Sequence, residues 1–390
     1  MNILWLVRIA RVSMPAVAIL ACRPPATLPA VPADSGGFVV TLGNDTLSAE
    51  SFTRTGDRVE GVIVRRLPRT TVVRYVLTLT PAGLPSRLEY NTRLPDGGMF
   101  PNGARSVAVT FTGDSAITET VRDSIVTRRV AARNTFPDLD GAVSFYALPI
   151  AALKAMSRDS ADFTGYSPGA PRGSPNPVVR RGANRYLVYD FGNPIEILTD
   201  DSGRILSVDG SRTTFRIQSR RQGKVNVLAL AAAFAERERA TGPLMALSPR
   251  DSVTATIGGA HLSVGYGRPA ARGRRIWGPN GVLGDTIWRT GANASTRFTT
   301  DAAISIGGRT LPAGTYSVTT LAIPGRYQLI FSAPDAEVLR VPLQATAIDP
   351  SVERFTIVIE PTAERAGMLR LRWDTLELSA PLTVPDASTP

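Results

Sequence analysis

Apolar and polar residues alternate with a period of two through most of this 390-residue chain, the spacing at which one face of a β-strand meets a core and the other meets water. Between residues 38 and 132, β-branched runs at 58–64, 71–78, 106–112 and 125–131 stand between Gly, Pro and Asp breaks, which predicts an antiparallel meander. The pattern changes between 145 and 156 to one or two helical turns, with Pro149 tolerable near a helix start. Residues 166–181, holding Pro168, Pro171, Pro175 and Pro177, read as an irregular loop. Strands resume at 186–189 and 195–198, and Asp201-Ser202-Gly203 makes a hairpin turn.

The strongest helical stretch is 226–240, rich in Ala and Leu, ending in Glu236-Arg237-Glu238-Arg239 before Gly242-Pro243. Beyond it the two-residue period is cleanest. Leu262, Val264 and Tyr266 share one parity, as do Phe355, Ile357 and Ile359, and Leu369, Leu371 and Trp373. Gly307-Gly308, Leu311-Pro312-Ala313-Gly314 and Pro324-Gly325 supply turns. The expected fold is mainly β: an N-terminal antiparallel β meander, for which a curved half-barrel is one form, plus a C-terminal β-sandwich, joined by a helix. The expected segments are a signal peptide at 1–21, a Pro/Ala-rich tether at 22–37, a β-rich domain at 38–222, a linker helix and turn at 223–247, and the sandwich at 248–386.

The first residues change the picture from fold to compartment. Arg8 and Arg11 precede an apolar run to Ala21, and Ile19-Leu20-Ala21-Cys22 resembles the lipobox of bacterial lipoproteins. Cys22 is the only cysteine, so no disulfide forms within the chain, and the thiol is the expected lipidation site. Acyl chains there would hold the protein to the membrane. The expected location is the cell envelope, exported and membrane-anchored, facing the periplasm. The net charge of +11 comes almost wholly from arginine, since Lys154 and Lys224 are the only lysines. That bias fits a GC-rich genome, and beyond it attraction to anionic envelope components. Nucleic acid is not an expected partner of an exported chain.

His261 is the only histidine, so a multi-histidine metal site is excluded, and Asp138-Leu139-Asp140-Gly141 lacks the closing ligands of a calcium loop. No metal site and no cofactor are expected.

Unusual residue types concentrate between 264 and 320. The runs are Tyr266-Gly267-Arg268-Pro269, Arg272-Gly273-Arg274-Arg275-Ile276-Trp277-Gly278, Trp288-Arg289-Thr290-Gly291-Ala292-Asn293 and Leu311-Pro312-Ala313-Gly314-Thr315-Tyr316-Ser317. Together and in this order they resemble the bacterial domain-of-unknown-function family numbered 2911, over roughly a third of the chain. One departure is a missing insertion: after Leu329-Ile330-Phe331 the chain runs almost directly to Val338-Leu339-Arg340. The resemblance implies an exported β domain and brings no activity with it. If Arg268, Arg272, Arg274 and Arg289 converge, they make an anion site, with Thr290 and Asn293 adding neutral hydrogen bonds and Trp288 or Trp277 a stacking wall. Alternatively these residues hold their own loops together. Removing a buried Arg289 would then cost about 2 kcal/mol. The functional expectation is a non-enzymatic module binding an anionic small molecule, a glycan or an envelope protein. The alternative is an envelope hydrolase acting on an anionic or carbohydrate substrate at this block.

Overall fold

A computed structural model describes residues 33–100, 102–190, 193–211, 216–284, 286–334 and 336–386. Cys22 and the expected signal and tether up to residue 32 lie outside the described residues. The chain is mainly β with open sheets, antiparallel except where Thr164–Tyr166 runs parallel to Thr135–Pro137 in a small three-stranded sheet. Eight strands form the leading meander: β1 Asp34–Leu42, β2 Asp45–Thr55, β3 Arg58–Arg65, β4 Thr71–Leu79, β5 Pro85–Arg93, β6 Ser106–Phe111, β7 Ser115–Val121 and β8 Ile125–Ala131. The chain then turns inward and comes back as six more strands, the last of which, Gln218–Gln222, pairs with β1 through Val39 opposite Arg220. The result is one fourteen-stranded sheet with β8 at one edge and the two-residue strand Ser160–Ala161 at the other.

Period-two alternation gives this sheet an inner face. Phe38, Ile63, Val73, Leu77, Leu88, Tyr186 and Ile197 are buried there. Closing over them is a short 3-10 turn, Val143–Tyr146, continuous with helix α1, Ala147–Ala155, which buries Leu148, Ile150 and Leu153. Each such side chain contributes roughly 2 kcal/mol by leaving water. Pro149 sits in the first turn of α1, where its missing N–H costs nothing. The Pro-rich stretch expected as a loop contains strand fragments: Ser174–Pro175 pairs with Thr164–Tyr166, and Val178–Arg180 joins the large sheet. Proline is accommodated because the first of these pairings is at the edge of a small sheet.

The expected linker helix is α2, Val227–Thr241, and it lies between the two parts of the chain. Asn226 caps it by accepting from the Ala229 N–H at 3.0 Å, and Gly242, at φ 79°, ends it. Rather than bridging solvent, α2 packs Val227 and Ala231 on Ala49, Val64 and Val72, on the outer face of β2–β4. Glu238 at its end accepts from the Thr70 N–H at 2.7 Å and from Arg69 at 3.2 Å.

The C-terminal part places one sheet, led by the hairpin Arg250–Ile257 and Ala260–Gly267, over a second one built on the long hairpin Gln344–Ala363 and Ala366–Thr383. Leu262, Val264 and Tyr266 are buried against Phe355, Ile357, Leu369, Leu371 and Trp373, with Ile357 opposite Leu371. Gly307-Gly308 turns between Ile306 and Arg309, both glycines at positive φ, as a type I′ hairpin requires.

Candidate functional site

The seven residues singled out in the motif block are distributed among separate contacts. Arg268 spans to the long hairpin, donating to the Phe355 carbonyl at 3.2 Å and the Thr356 hydroxyl at 3.0 Å, with Asp251 as its ion partner at 3.0 Å. Arg274 turns back on its own loop, donating to the carbonyls of Ala271 at 2.8 Å and Ala270 at 2.7 Å. Burial, and then the neighbouring guanidinium groups of Arg272 and Arg216, lower its pKa to about 10. Trp288 stacks on Trp373 with ring centres 5.5 Å apart, meets Phe355 edge-on and donates its indole N–H to the Gly291 carbonyl at 2.8 Å. Thr290 is buried and shares a hydroxyl contact of 2.7 Å with Thr320, while its carbonyl accepts from Thr296 at 2.7 Å. Arg289 and Asn293 are exposed. Arg289 donates to the Asn293 carbonyl at 2.6 Å, and the Asn293 amide donates to the Ser248 carbonyl at 3.3 Å. The buried Arg289 considered from sequence is therefore a surface guanidinium holding one loop carbonyl.

Arg272 has a role that no spacing in the chain signals. Its side chain is 5% exposed and pairs with Asp45 at the start of β2, while donating to the Leu247 carbonyl at 3.3 Å. Its own carbonyl accepts from the Asn44 N–H at 2.9 Å. The β1–β2 turn and the 271–274 turn thus fit into each other. A Cβ on Gly43 would lie 2.2 Å from the Arg272 oxygen, and Gly43 is at φ +58°, so glycine is required there on both counts. Arg216 adds a second tie between the two parts, donating to the carbonyls of Gly281 and Val282 at 3.1 and 2.7 Å.

The open concavity lies elsewhere, on the outer face of the N-terminal sheet beside the start of α2. It is a trough of about 720 Å³ crossing β2 to β7. Its floor alternates apolar and charged side chains: Val62 and Glu60 from β3, Val76 and Arg74 from β4, Glu89 and Asn91 from β5, Val121 and Glu119 from β7. Ile125 of β8 forms one wall and Lys224 another. Arg87 is matched to Glu89 at 3.2 Å and to Glu119 at 3.6 Å, and Glu60 pairs with Arg58. Arg74 and Lys224 make no ion pair among the described residues, and the single Arg87 faces two carboxylates, so the trough presents unpaired basic groups beside charges of both signs. The aromatic residues of these strands, Phe52, Tyr75 and Tyr90, pack into the opposite, inner face. A signal for the trough is present in the sequence: Val62, Val76 and Val121 sit at outward parity, where the alternation calls for polar residues.

Beneath the same strands is a buried carboxylate. Glu50 of β2 is fully buried and accepts from the Tyr75 hydroxyl at 2.6 Å, the Ser144 hydroxyl at 2.7 Å and the Ser144 N–H at 2.9 Å. It pins the 3-10 turn ahead of α1 to the sheet. Burial raises its pKa above the ordinary glutamate range, against the lowering effect of these hydrogen bonds, and burial likewise pushes the Tyr75 hydroxyl well up. Tyr75 lies across Gly61 on the neighbouring strand, where a Cβ would come within 2.4 Å of its ring. Glu50 shares the inward parity of Phe52, and a carboxylate on an apolar face was the available clue. His261, the lone histidine, is exposed and bonds Asp301 at 2.7 Å through its ring.

Among the described residues no group of three or more His, Cys, Asp or Glu side chains is arranged to hold a metal ion. No helix of the described residues is long and apolar enough to cross a membrane.

No curated protein matches the chain. Among solved structures, the chain is similar to a DUF1089 family protein from Pseudomonas aeruginosa, at 14% identity and a TM-score of 0.34, over 42% of this chain and 90% of that one. It is also similar to a β-barrel-like protein of domain of unknown function DUF1849 from Brucella abortus, at 9% identity and a TM-score of 0.34, over 50% of this chain and 97% of that one. Residues 248–382, the C-terminal sandwich with its four motif runs, match the family described as "Protein of unknown function (DUF2911)".

Proposed function

We propose that this protein is a lipid-anchored module of the bacterial cell envelope, exported and held through Cys22, that binds a polypeptide partner without transforming it. The observation that carries the reading is the trough. It is open and large, its floor interleaves valines with charged side chains, and Arg74 and Lys224 have no ion partner among the described residues. Charges of both signs interleaved with valines suit a protein segment, whose side chains vary along its length. A glycan is served less well, because the aromatic rings of these strands face the core and offer no stacking platform. The motif block supports a structural role. Arg268, Arg272 and Arg274 spend their donors on carbonyls and carboxylates of the protein itself, which leaves little for the anionic substrate of the hydrolase alternative.

Native mass spectrometry of the full chain, released from the envelope of its own host, tests this. The expected result is a second polypeptide at fixed stoichiometry, lost in a Val76→Glu variant of unchanged melting temperature. A small-molecule adduct indifferent to Val76, in place of a polypeptide, would overturn the reading.

A further inference from the structure

We infer that the partner is an acidic, extended segment that adds as a strand to the free edge of β8, continuing the sheet where the trough ends. This inference rests on the polypeptide reading above and specifies the mode of attachment. β8 pairs with β7 on one side, Val121 opposite Ile125 through Ser115 opposite Ala131, and takes no strand on its other side among the described residues. A strand edge without a partner presents a row of backbone donors and acceptors, and proteins commonly shorten or cover such edges. The opposite edge of this same sheet follows that rule, being only two residues long. β8 is seven residues long and departs from the alternation of its neighbours. Ile125 to Arg129 are all exposed, Ile125 at 67% and Val126 at 58%, and only Val130 is buried.

Register divides its side chains between the faces. Ile125, Thr127 and Arg129 continue the outer face of Val121, Glu119 and Ile117, while Val126 and Arg128 follow Thr120 and Thr118. Ile125 is also a wall of the trough, so a strand laid along β8 would set alternate side chains at its mouth. Charge selects the occupant. Arg128 and Arg133 make no ion pair among the described residues, and Arg129 has Asp114 as a longer-range neighbour. These cations along the edge complement an acidic segment. Backbone pairing supplies the affinity, and alternate side chains supply the selectivity. An anionic membrane surface would use the same arginines, but it would leave the backbone groups of the edge unpaired.

Fluorescence anisotropy with the full chain tests the inference, using a labelled peptide of alternating Glu and Val, its Lys-Val counterpart, and the Glu-Val sequence carrying backbone N-methyl groups. The acidic peptide is expected to bind and the basic one not to. N-methylation of the peptide, and an Arg128→Glu/Arg129→Glu variant, should each weaken binding by roughly tenfold or more. No binding of the acidic peptide, or binding indifferent to N-methylation or to charge reversal, overturns the inference. Binding to phosphatidylglycerol vesicles that the charge reversal abolishes, with no peptide binding, would assign the edge to a membrane surface instead. A polypeptide adduct in native mass spectrometry that survives the charge reversal would leave the trough reading standing and remove strand addition.

Discussion

The two parts of this protein use their polar residues in opposite ways. In the C-terminal sandwich, the run of Arg, Trp, Thr and Asn is bound up in the fold's own contacts: Trp288 lies on Trp373, Thr290 bonds Thr320, Arg274 closes on the carbonyls of its own turn, and the exposed Arg289 holds the Asn293 carbonyl. In the N-terminal sheet no motif stands out, yet its ordinary outward positions line the open trough. A run of rare residue types marks loops that need many hydrogen bonds to hold an irregular backbone. A binding surface can instead be built from common residues on regular strands, provided the sheet curves to make a concavity.

Breaking the aromatic packing of the sandwich should have the largest effect. Trp288→Ala removes a ring in contact with Trp373, Phe355 and Trp277 and should cost about 3–4 kcal/mol, read as a drop in urea midpoint. If the midpoint is unchanged, the block is not structural and the contrast between the two parts fails.

Glu50→Ala should cost about 3 kcal/mol, because it leaves Tyr75 and Ser144 unpaired in the core. Glu50 also predicts a pH dependence. Its folded pKa lies above the unfolded value, so as pH rises the unfolded chain ionises first. The associated stability is complete below the ordinary glutamate range and is lost as pH climbs through the folded pKa. Denaturation midpoints measured across the mildly acidic range should show this decline in the wild type and not in Glu50→Gln.

Arg272→Ala, which opens the clasp on Asp45 and Leu247, should cost about 2 kcal/mol, less than a fully enclosed pair because Asp45 is partly exposed. Calorimetry should then resolve separate unfolding of the two parts, whereas a single sharp transition would mean that the clasp does not couple them. The smallest effect belongs to Arg289→Ala, below about 1 kcal/mol, since the side chain is exposed and holds one carbonyl. A larger loss of melting temperature would show that its loop matters more than this single bond indicates.

Much of the fold was legible because its cause is local. Leu262, Val264 and Tyr266 announce a half-buried strand by parity alone, and Gly307-Gly308 announces its hairpin by the φ values that only glycine adopts cheaply. Asn226 and Gly242 bracket α2 for equally local reasons. What the helix packs on was not legible, nor was the fate of the arginines. Arg272 meets Asp45 across 227 positions, and Glu50 meets Ser144 across 94. No spacing rule links such pairs, since they are brought together by the closing of whole sheets. The trough was hidden for a related reason: its valines break the alternation visibly, but the curvature that turns them into a concavity belongs to the assembled sheet.

Photo-crosslinking in the producing cell tests the proposed binding surface most directly, with a photoreactive amino acid placed at Val76 in one strain and at Arg289 in another. The account predicts a discrete protein adduct from position 76 and none from position 289. An adduct from 289 alone would return the binding surface to the motif block and contradict the contrast drawn between the two parts.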